Sequence, residues 1–466
     1  MRKISTLMAL LITGYMLGVL NFLLMPKYYI AFGLKGFVLS LGALAVGLLL
    51  IYSEFEATRR TRYLIHEFMT KVSRLPSVTI ILVMFLMLFG AVNLYYSGFA
   101  LVKLLSMDTN MLPLLALGII TLIWLFLILL RGRSVEFIGL LSVLFIVFSF
   151  ISLFILREQV YNVITSERAL NYLNSYKSAM FSLDHALTAK GTVMMLAGVL
   201  LSLGLGGGVY YVLGSFAPQE LDFRKLLVIV TILQILLSFT AALTTVYSIG
   251  AAYQSYVTAF NNPNIPSNES IKSMRIYMDF NKLEEYGGNS DQNPIEAIET
   301  FYLIPDIIRE SGIKGSSAII FLLMGSLFLA GFTTLIVLVE IGAQISTEAF
   351  QMSRNMSVSF ISGVVFALSA AMIVSGIKVM LLAAVLGVGG LVIALEGVPL
   401  LTGVSPVDRR PVGLGILASA LIGLLALWMM LGFPDSYVKL GAAVGLLLLL
   451  PVLFNNYLMV GPRRGR

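Results

Sequence analysis

Thr333 and Thr334 stand side by side, just after Ala330-Gly331, in an apolar run over about residues 317–347. Adjacent hydroxyls are hard oxygen donors, and together with backbone carbonyls they suit a hard cation such as sodium. A neutral cage of that kind holds an ion weakly enough to release it. A helical threonine can also bond the carbonyl four residues back, and the residues alone leave both readings open. Two interruptions of apolar runs offer further chemistry. In the first, Gly14-Tyr15-Met16-Leu17-Gly18-Val19-Leu20-Asn21 runs on to Pro26. Gly14 and Gly18 lower helix propensity, Asn21 brings an amide to bilayer depth, and Pro26 is expected to end the segment. In the second, Gly204, Gly206, Gly207 and Gly208 fall within five residues after Ser202. At roughly 1 kcal/mol each against alanine, they make a regular helix improbable there. Gly-xxx-Gly spacing also suits close helix packing. Lipid cannot satisfy the backbone groups a break releases, so they must face protein, water, an ion or a substrate.

Carboxylates near or within apolar runs are Glu54, Glu340 and Glu396. Glu54 and Glu340 each suit a proton site, a packing hydrogen bond or a basic partner; Glu396 has no role that the sequence assigns. The glycine-rich stretch lacks the Lys-Ser/Thr that follows a phosphate cradle. There is no cysteine, and the histidines are His66 and His185 alone, which excludes disulfides, thiol chemistry and a cysteine- or histidine-based metal centre. No cofactor is expected.

The elements that must position these groups follow from composition. Of 466 residues 58% are hydrophobic and 12% charged, with mean hydropathy +0.94, where soluble domains carry about 25% charged residues. The chain is therefore read as a multi-pass membrane protein in a lipid bilayer. Apolar stretches long enough to cross number about twelve: 5–25, 36–55, 76–103, 112–130, 136–156, 191–215, 226–255, 317–347, 356–375, 378–401, 412–432 and 437–458. Met1-Arg2-Lys3 before an apolar run imitates a signal peptide. The run continues to Leu24 with no small-residue cleavage site, so it is read as the first span.

The net charge of +7 is assigned to orientation, not to nucleic acid. Placing both termini inside gathers 17 basic residues into short inner segments, among them Arg2, Lys3, Arg59, Arg62, Arg131, Arg133, Arg354, Arg409 and Arg463. The short outer loops keep only Lys27, Lys35, Lys103, Lys378 and Lys439. That asymmetry places both termini in the cytoplasm. Two outer loops are long, 157–190 and 256–316. The second carries helical periodicity around Ile295–Tyr302 and is read equally as a lid or as a solvated hairpin.

Taken in order, these segments resemble the neurotransmitter:sodium symporter family, whose bacterial amino-acid transporters share the LeuT-type fold. Gly18-Val19-Leu20-Asn21 through Pro26 is similar to the family's first-helix motif. Ser202-Leu203-Gly204-Leu205-Gly206 matches its sixth, Ala330-Gly331-Phe332-Thr333-Thr334 with Glu340 its eighth, and Glu54-Phe55 with Arg59 the end of its second. The resemblance implies about twelve helices in a 5+5 inverted repeat with discontinuous helices 1 and 6. The first repeat would cover 1–156, an outer loop 157–190, the second repeat 191–401 and two last helices with the tail 402–466. It implies a sodium-coupled importer of a small, apolar amino acid or related amine.

By position, sodium would meet carbonyls of Gly14, Leu17 and Ala330 and the hydroxyls of Thr333 and Thr334. Substrate would lie against Gly18, Val19, Leu20, Asn21, Ser202, Gly204 and Gly206 and a helix-3 tyrosine, Tyr96 or in a slipped register Tyr95. Glu348 would be an inner-gate carboxylate paired with Arg2 or Lys3. Leu20 replaces a glycine beside the substrate carboxylate, Leu24 the outer-gate arginine and Leu200 a threonine of the second sodium site. One sodium per substrate and an apolar pocket follow. A channel, a receptor-like relative that binds without transport, and proton coupling are the alternatives; no enzyme motif is present.

Overall fold

The computed structural model describes residues 2–129, 134–260 and 267–459. The helices are α1 (Arg2–Met16), α2 (Leu20–Leu23), α3 (Met25–Ala31), α4 (Gly33–Thr61), α5 (Ile65–Lys71), α6 (Pro76–Leu105), α7 (Leu112–Leu129), α8 (Ser134–Val163), α9 (Glu167–Met180) and α10 (Ala189–Ser202). There follow α11 (Val209–Phe216), α12 (Phe223–Phe260), α13 (Ser267–Gly288), α14 (Pro294–Phe301), α15 (Ile304–Glu310), α16 (Ser316–Phe350), α17 (Arg354–Ala371), α18 (Ser375–Gly397), α19 (Arg409–Leu431), α20 (Ser436–Leu447) and α21 (Asn455–Met459).

Eleven helical segments among the described residues are long and apolar enough to cross a membrane. The twelfth expected span is the sixth in sequence. It is split into α10 and α11, each too short to cross alone. Lipid-facing leucines remain exposed on α7, α19 and α20 (Leu114, Leu129, Leu414, Leu440), whereas α6 and α16 are buried over most of their length. The centre of the molecule is therefore α6 and α16 packed on each other, with α1 and α8 against α16.

Close approach at these seams is set by small residues. A methyl group on Gly331 would stand 1.9 Å from Ser97 Oγ, and one on Gly14 2.1 Å from Ser142 Oγ. In both cases a serine fills the space a larger side chain would need, and its hydroxyl bonds its own helix, to Asn93 O and Ile138 O.

The first break is short. Helical pairing stops at Met16 and resumes at Leu20. Pro26 does not end the segment, contrary to the expectation from sequence. It lies in the first turn of α3, where its missing N–H costs no hydrogen bond. The second break spans 203–208, and Gly204, Gly206 and Gly208 have φ of +73°, +98° and +70°. This is left-handed backbone that residues with a Cβ seldom adopt.

Within the long segment 256–316, α13, α14 and α15 pack on α3, α18 and α16 and form a cover. Ile295, Ala297, Ile298 and Phe301 of α14 are buried, and α14 touches α2 and α18. The Asn262–Pro266 stretch lies outside the described residues.

Candidate functional site

At the first break one carbonyl near the end of α1, that of Gly14, faces α16. Ala330 O accepts hydrogen bonds from Thr333 Oγ1 (3.0 Å) and Thr334 Oγ1 (2.9 Å), and Gly14 O accepts from Thr333 Oγ1 at 3.3 Å. A methyl group on Gly18 would stand 2.8 Å from Thr334 Oγ1. Gly14, Gly18, Ala330, Thr333 and Thr334 are thus brought together from residues more than 300 apart in sequence. Leu17 is buried in the break itself.

Both threonines make the local bond to Ala330 O, and both also face α1. The donor set is neutral oxygen: two main-chain carbonyls and two hydroxyls whose lone pairs stay available. The C-terminal end of α1 adds partial negative charge. With both hydroxyl hydrogens turned to carbonyl oxygens, the set presents acceptor oxygen, the chemistry a hard monovalent cation requires.

Asn21 follows the break, and its Nδ2 donates to Met16 O (3.0 Å), Gly18 O (3.3 Å) and Ser202 O (3.4 Å). One amide thereby satisfies carbonyls that both breaks release. Val19 and Leu20 are buried beside it. Tyr96 is fully buried and its hydroxyl has no partner, whereas Tyr95 lies beneath the ammonium of Lys378. The ring of Tyr96 stacks on Tyr302, whose hydroxyl donates to Tyr96 O at 2.9 Å.

The second break is held by residues that sequence reasoning did not assign. Glu396, fully buried on α18, accepts the N–H of Gly208 at 2.6 Å and that of Gly206. The hydroxyl of Tyr15 donates to Gly204 O at 2.6 Å, that of Tyr210 to Leu203 O, and that of Tyr211 to Glu396 O at 2.8 Å. Gly204 O and Gly206 N, of the residues the resemblance placed against substrate, are thus bonded to Tyr15 and Glu396. The signal for Glu396 was its bare presence inside a span, where an ionisable residue marks function or a partner by default.

Three carboxylates differ in their surroundings. Glu54 is fully buried beside Glu396, and neither of its oxygens has a hydrogen-bond partner. Glu340 is an ion-pair partner: Arg354 reaches both its oxygens (2.9 and 2.7 Å), and Gln344 donates to it at 3.0 Å. Glu348 accepts the N–H groups of His66 (3.2 Å) and Glu67 (2.7 Å) at the start of α5, where a negative charge is favoured. The side chains of Arg2 and Lys3, its expected partners, lie outside the described residues.

Towards the cover, Leu24, 2% exposed, packs against Gly198 of α10. Beyond it Lys27, almost wholly buried, donates to Gln292 O (3.2 Å) and Gln292 Oε1 (3.0 Å) of the cover. Burial lowers its pKa to about 7; Glu285, Glu296 and Asp291 oppose that shift and Lys190 adds to it. The cover is also tied by Lys190 to Asp291 O (3.0 Å), by Lys378 to Glu299, and by Lys103 to Asp306. Phe99, Glu285, Gln292, Glu296 and Tyr302 are among the residues lining a 380 Å³ cavity under it.

The helices and the two breaks define an all-α, polytopic membrane protein of the LeuT-type arrangement, with its first and sixth spans interrupted. The crystal structure of MhsT in complex with L-phenylalanine is similar to this chain over 97% of this chain and 98% of its own, with TM-score 0.58 and 14% identity. At that identity the likeness establishes the fold alone. No protein-family model matches the chain, and no curated protein sequence does.

Proposed function

We propose that this chain is a secondary transporter of the neurotransmitter:sodium symporter type. It imports a small, apolar amino acid or related amine with sodium, by alternating access across the cell membrane, with both termini in the cytoplasm. The observation that carries the reading is the meeting of Thr333 and Thr334 with Gly14 and Gly18 at the break of the first span. Neutral oxygens at a helix C-terminus attract a cation without trapping it, which a coupling ion needs. The substrate lies beside Val19, Leu20 and Asn21, with the unpartnered hydroxyl of Tyr96 as a polar contact and leucines as the wall. The bound L-phenylalanine of the similar structure favours an amino acid with an apolar side chain.

Alternating access asks two gates to open in turn. The outer gate is apolar at Leu24 and closed by the cover above it. The inner gate involves Glu348 and the start of α5, while Glu340 and Arg354 brace α16 against α17. The two repeats, about 1–156 and 191–401, supply the elements that rock against each other.

Proteoliposomes test this directly. Radiolabelled apolar amino acids should accumulate only when sodium is higher outside, with a Hill coefficient near one for sodium. Uptake driven equally by a proton gradient without sodium would move the coupling to protons. Linear, non-saturating flux would indicate a channel.

A further inference from the structure

Gln234 lies in the apolar middle of α12, 3% exposed, and its carboxamide reaches the space between the two breaks. Its Nε2 donates to Asn21 Oδ1 at 2.8 Å and to Ser202 Oγ at 3.1 Å. The orientation is fixed by its neighbours. Asn21 Nδ2 is committed to three main-chain oxygens, so Oδ1 can only face Gln234. The Ser202 hydroxyl donates to Val199 O at 2.8 Å, so its oxygen can only accept. Gln234 Oε1 is left buried without a partner. Turned over, the carboxamide would set that oxygen against two others.

Two acceptor oxygens, one from each broken span, therefore converge on one buried point. Their own hydrogens point elsewhere, so the point requires a positive or hydrogen-donating occupant. The chain provides one from α12. We infer that Gln234 fills, with a neutral NH2 group, a position that would otherwise bind a monovalent cation. It thereby excludes an ion from that side of the substrate space and fastens both breaks to α12. This position shares no residue with the Thr333/Thr334 set, and neither inference requires the other.

The substitution Gln234→Glu exchanges the NH2 for an oxygen with little change of shape. It gathers Asn21 Oδ1, Ser202 Oγ and a carboxylate around the same point. Thermal unfolding of purified protein is measured at pH 8 against sodium chloride, with choline chloride holding ionic strength. Each Gln234 variant is compared with its own background, wild type and Thr333→Val. In both backgrounds Gln234→Glu should add a saturable rise in Tm of about 3–5 °C. Because the increment is read over each background, it stays legible if Thr333 proves to have no part in sodium binding.

Gln234→Met covers the case of a glutamate variant that does not fold. It leaves the two oxygens bare, so its loss of Tm in choline should be at least halved in sodium. The inference is overturned if Gln234→Glu responds to sodium no more than its background, or if Gln234→Met loses the same Tm with and without sodium. It is equally overturned if Gln234→Met abolishes a sodium response that Thr333→Val leaves intact, because Gln234 would then be an ion ligand.

Discussion

The two breaks solve one problem in opposite ways. The first is three residues long, Leu17 to Val19, with no left-handed residue, and its braces are neutral: Asn21, Thr333, Thr334 and, through Asn21, Gln234. The second is six residues long, turns through three left-handed glycines, and is braced by the Glu396 carboxylate and by tyrosine hydroxyls. A carboxylate set among N–H groups at the start of α11 answers the positive end of a helix, and nothing there calls for a ligand. The carbonyls at the end of α1 carry partial negative charge and face the hydroxyl-bearing stretch of α16. Under the function proposed above, ion capture falls to the first break and rigidity to the second. Tyr15, which donates from α1 to Gly204 O, couples them.

That division fails most visibly at Glu396. Replacing it by alanine strands the N–H groups of Gly206 and Gly208, and the expected cost is about 3–5 kcal/mol. Little folded protein should survive detergent extraction and size exclusion. Glu396→Gln keeps one acceptor oxygen and should cost about 1–3 kcal/mol, with sodium stabilisation retained. A Glu396→Ala protein as stable as wild type would remove the bracing role.

A pair of glycine substitutions sharpens the contrast. Gly204→Ala puts a Cβ on left-handed backbone and 2.5 Å from the Tyr15 ring. It should lower stability by about 1–2 kcal/mol or more, measured as Tm without sodium. Gly18→Ala meets only the movable Thr334 hydroxyl. It should leave sodium-free Tm nearly unchanged and weaken the sodium response about tenfold. Equal effects from the two would erase the distinction between the breaks.

A third contrast lies at the cover. Because burial depresses Lys27 from 10.5 to about 7, the unfolded chain binds more protons across that interval. Stability from this group therefore rises as pH rises from 7 towards 10.5, and the cost of charging it is fully present below 7. Wild type should gain Tm between pH 6.5 and 9 relative to Lys27→Met. Parallel pH profiles for the two proteins would show that Lys27 carries no such dependence.

Much of this was legible in the sequence because the bilayer is a severe solvent. Eleven spans and both breaks followed from apolar length and glycine content, and the Thr333-Thr334 pair from its depth beside Ala330-Gly331. The partners were not legible. Glu396 reaches Gly206 and Gly208, and Gln234 reaches Asn21, across more than 180 residues, and nothing within α18 or α12 shows which neighbour they meet. Pro26 misled because a proline that stops one helix serves equally well in the first turn of the next. Lys27 was counted as an outer-loop charge, but the cover that buries it comes from residues near 292. Gly204 and Gly206 were placed against substrate by the resemblance; that Tyr15 bonds Gly204 O and Glu396 bonds Gly206 N is a fact of packing.

The central claim is that the first break and α16 form a cation site. The most direct measurement is the Tm of purified wild type and Thr333→Val in sodium, potassium and choline chlorides at equal ionic strength. Valine keeps the shape and removes the oxygen that faces both Gly14 O and Ala330 O. The account predicts saturable stabilisation of wild type by sodium over potassium, lost in Thr333→Val, while the variant in choline unfolds within about 1 kcal/mol of wild type. Equal stabilisation by sodium and potassium, or a Thr333→Val titration that overlays wild type, would contradict it.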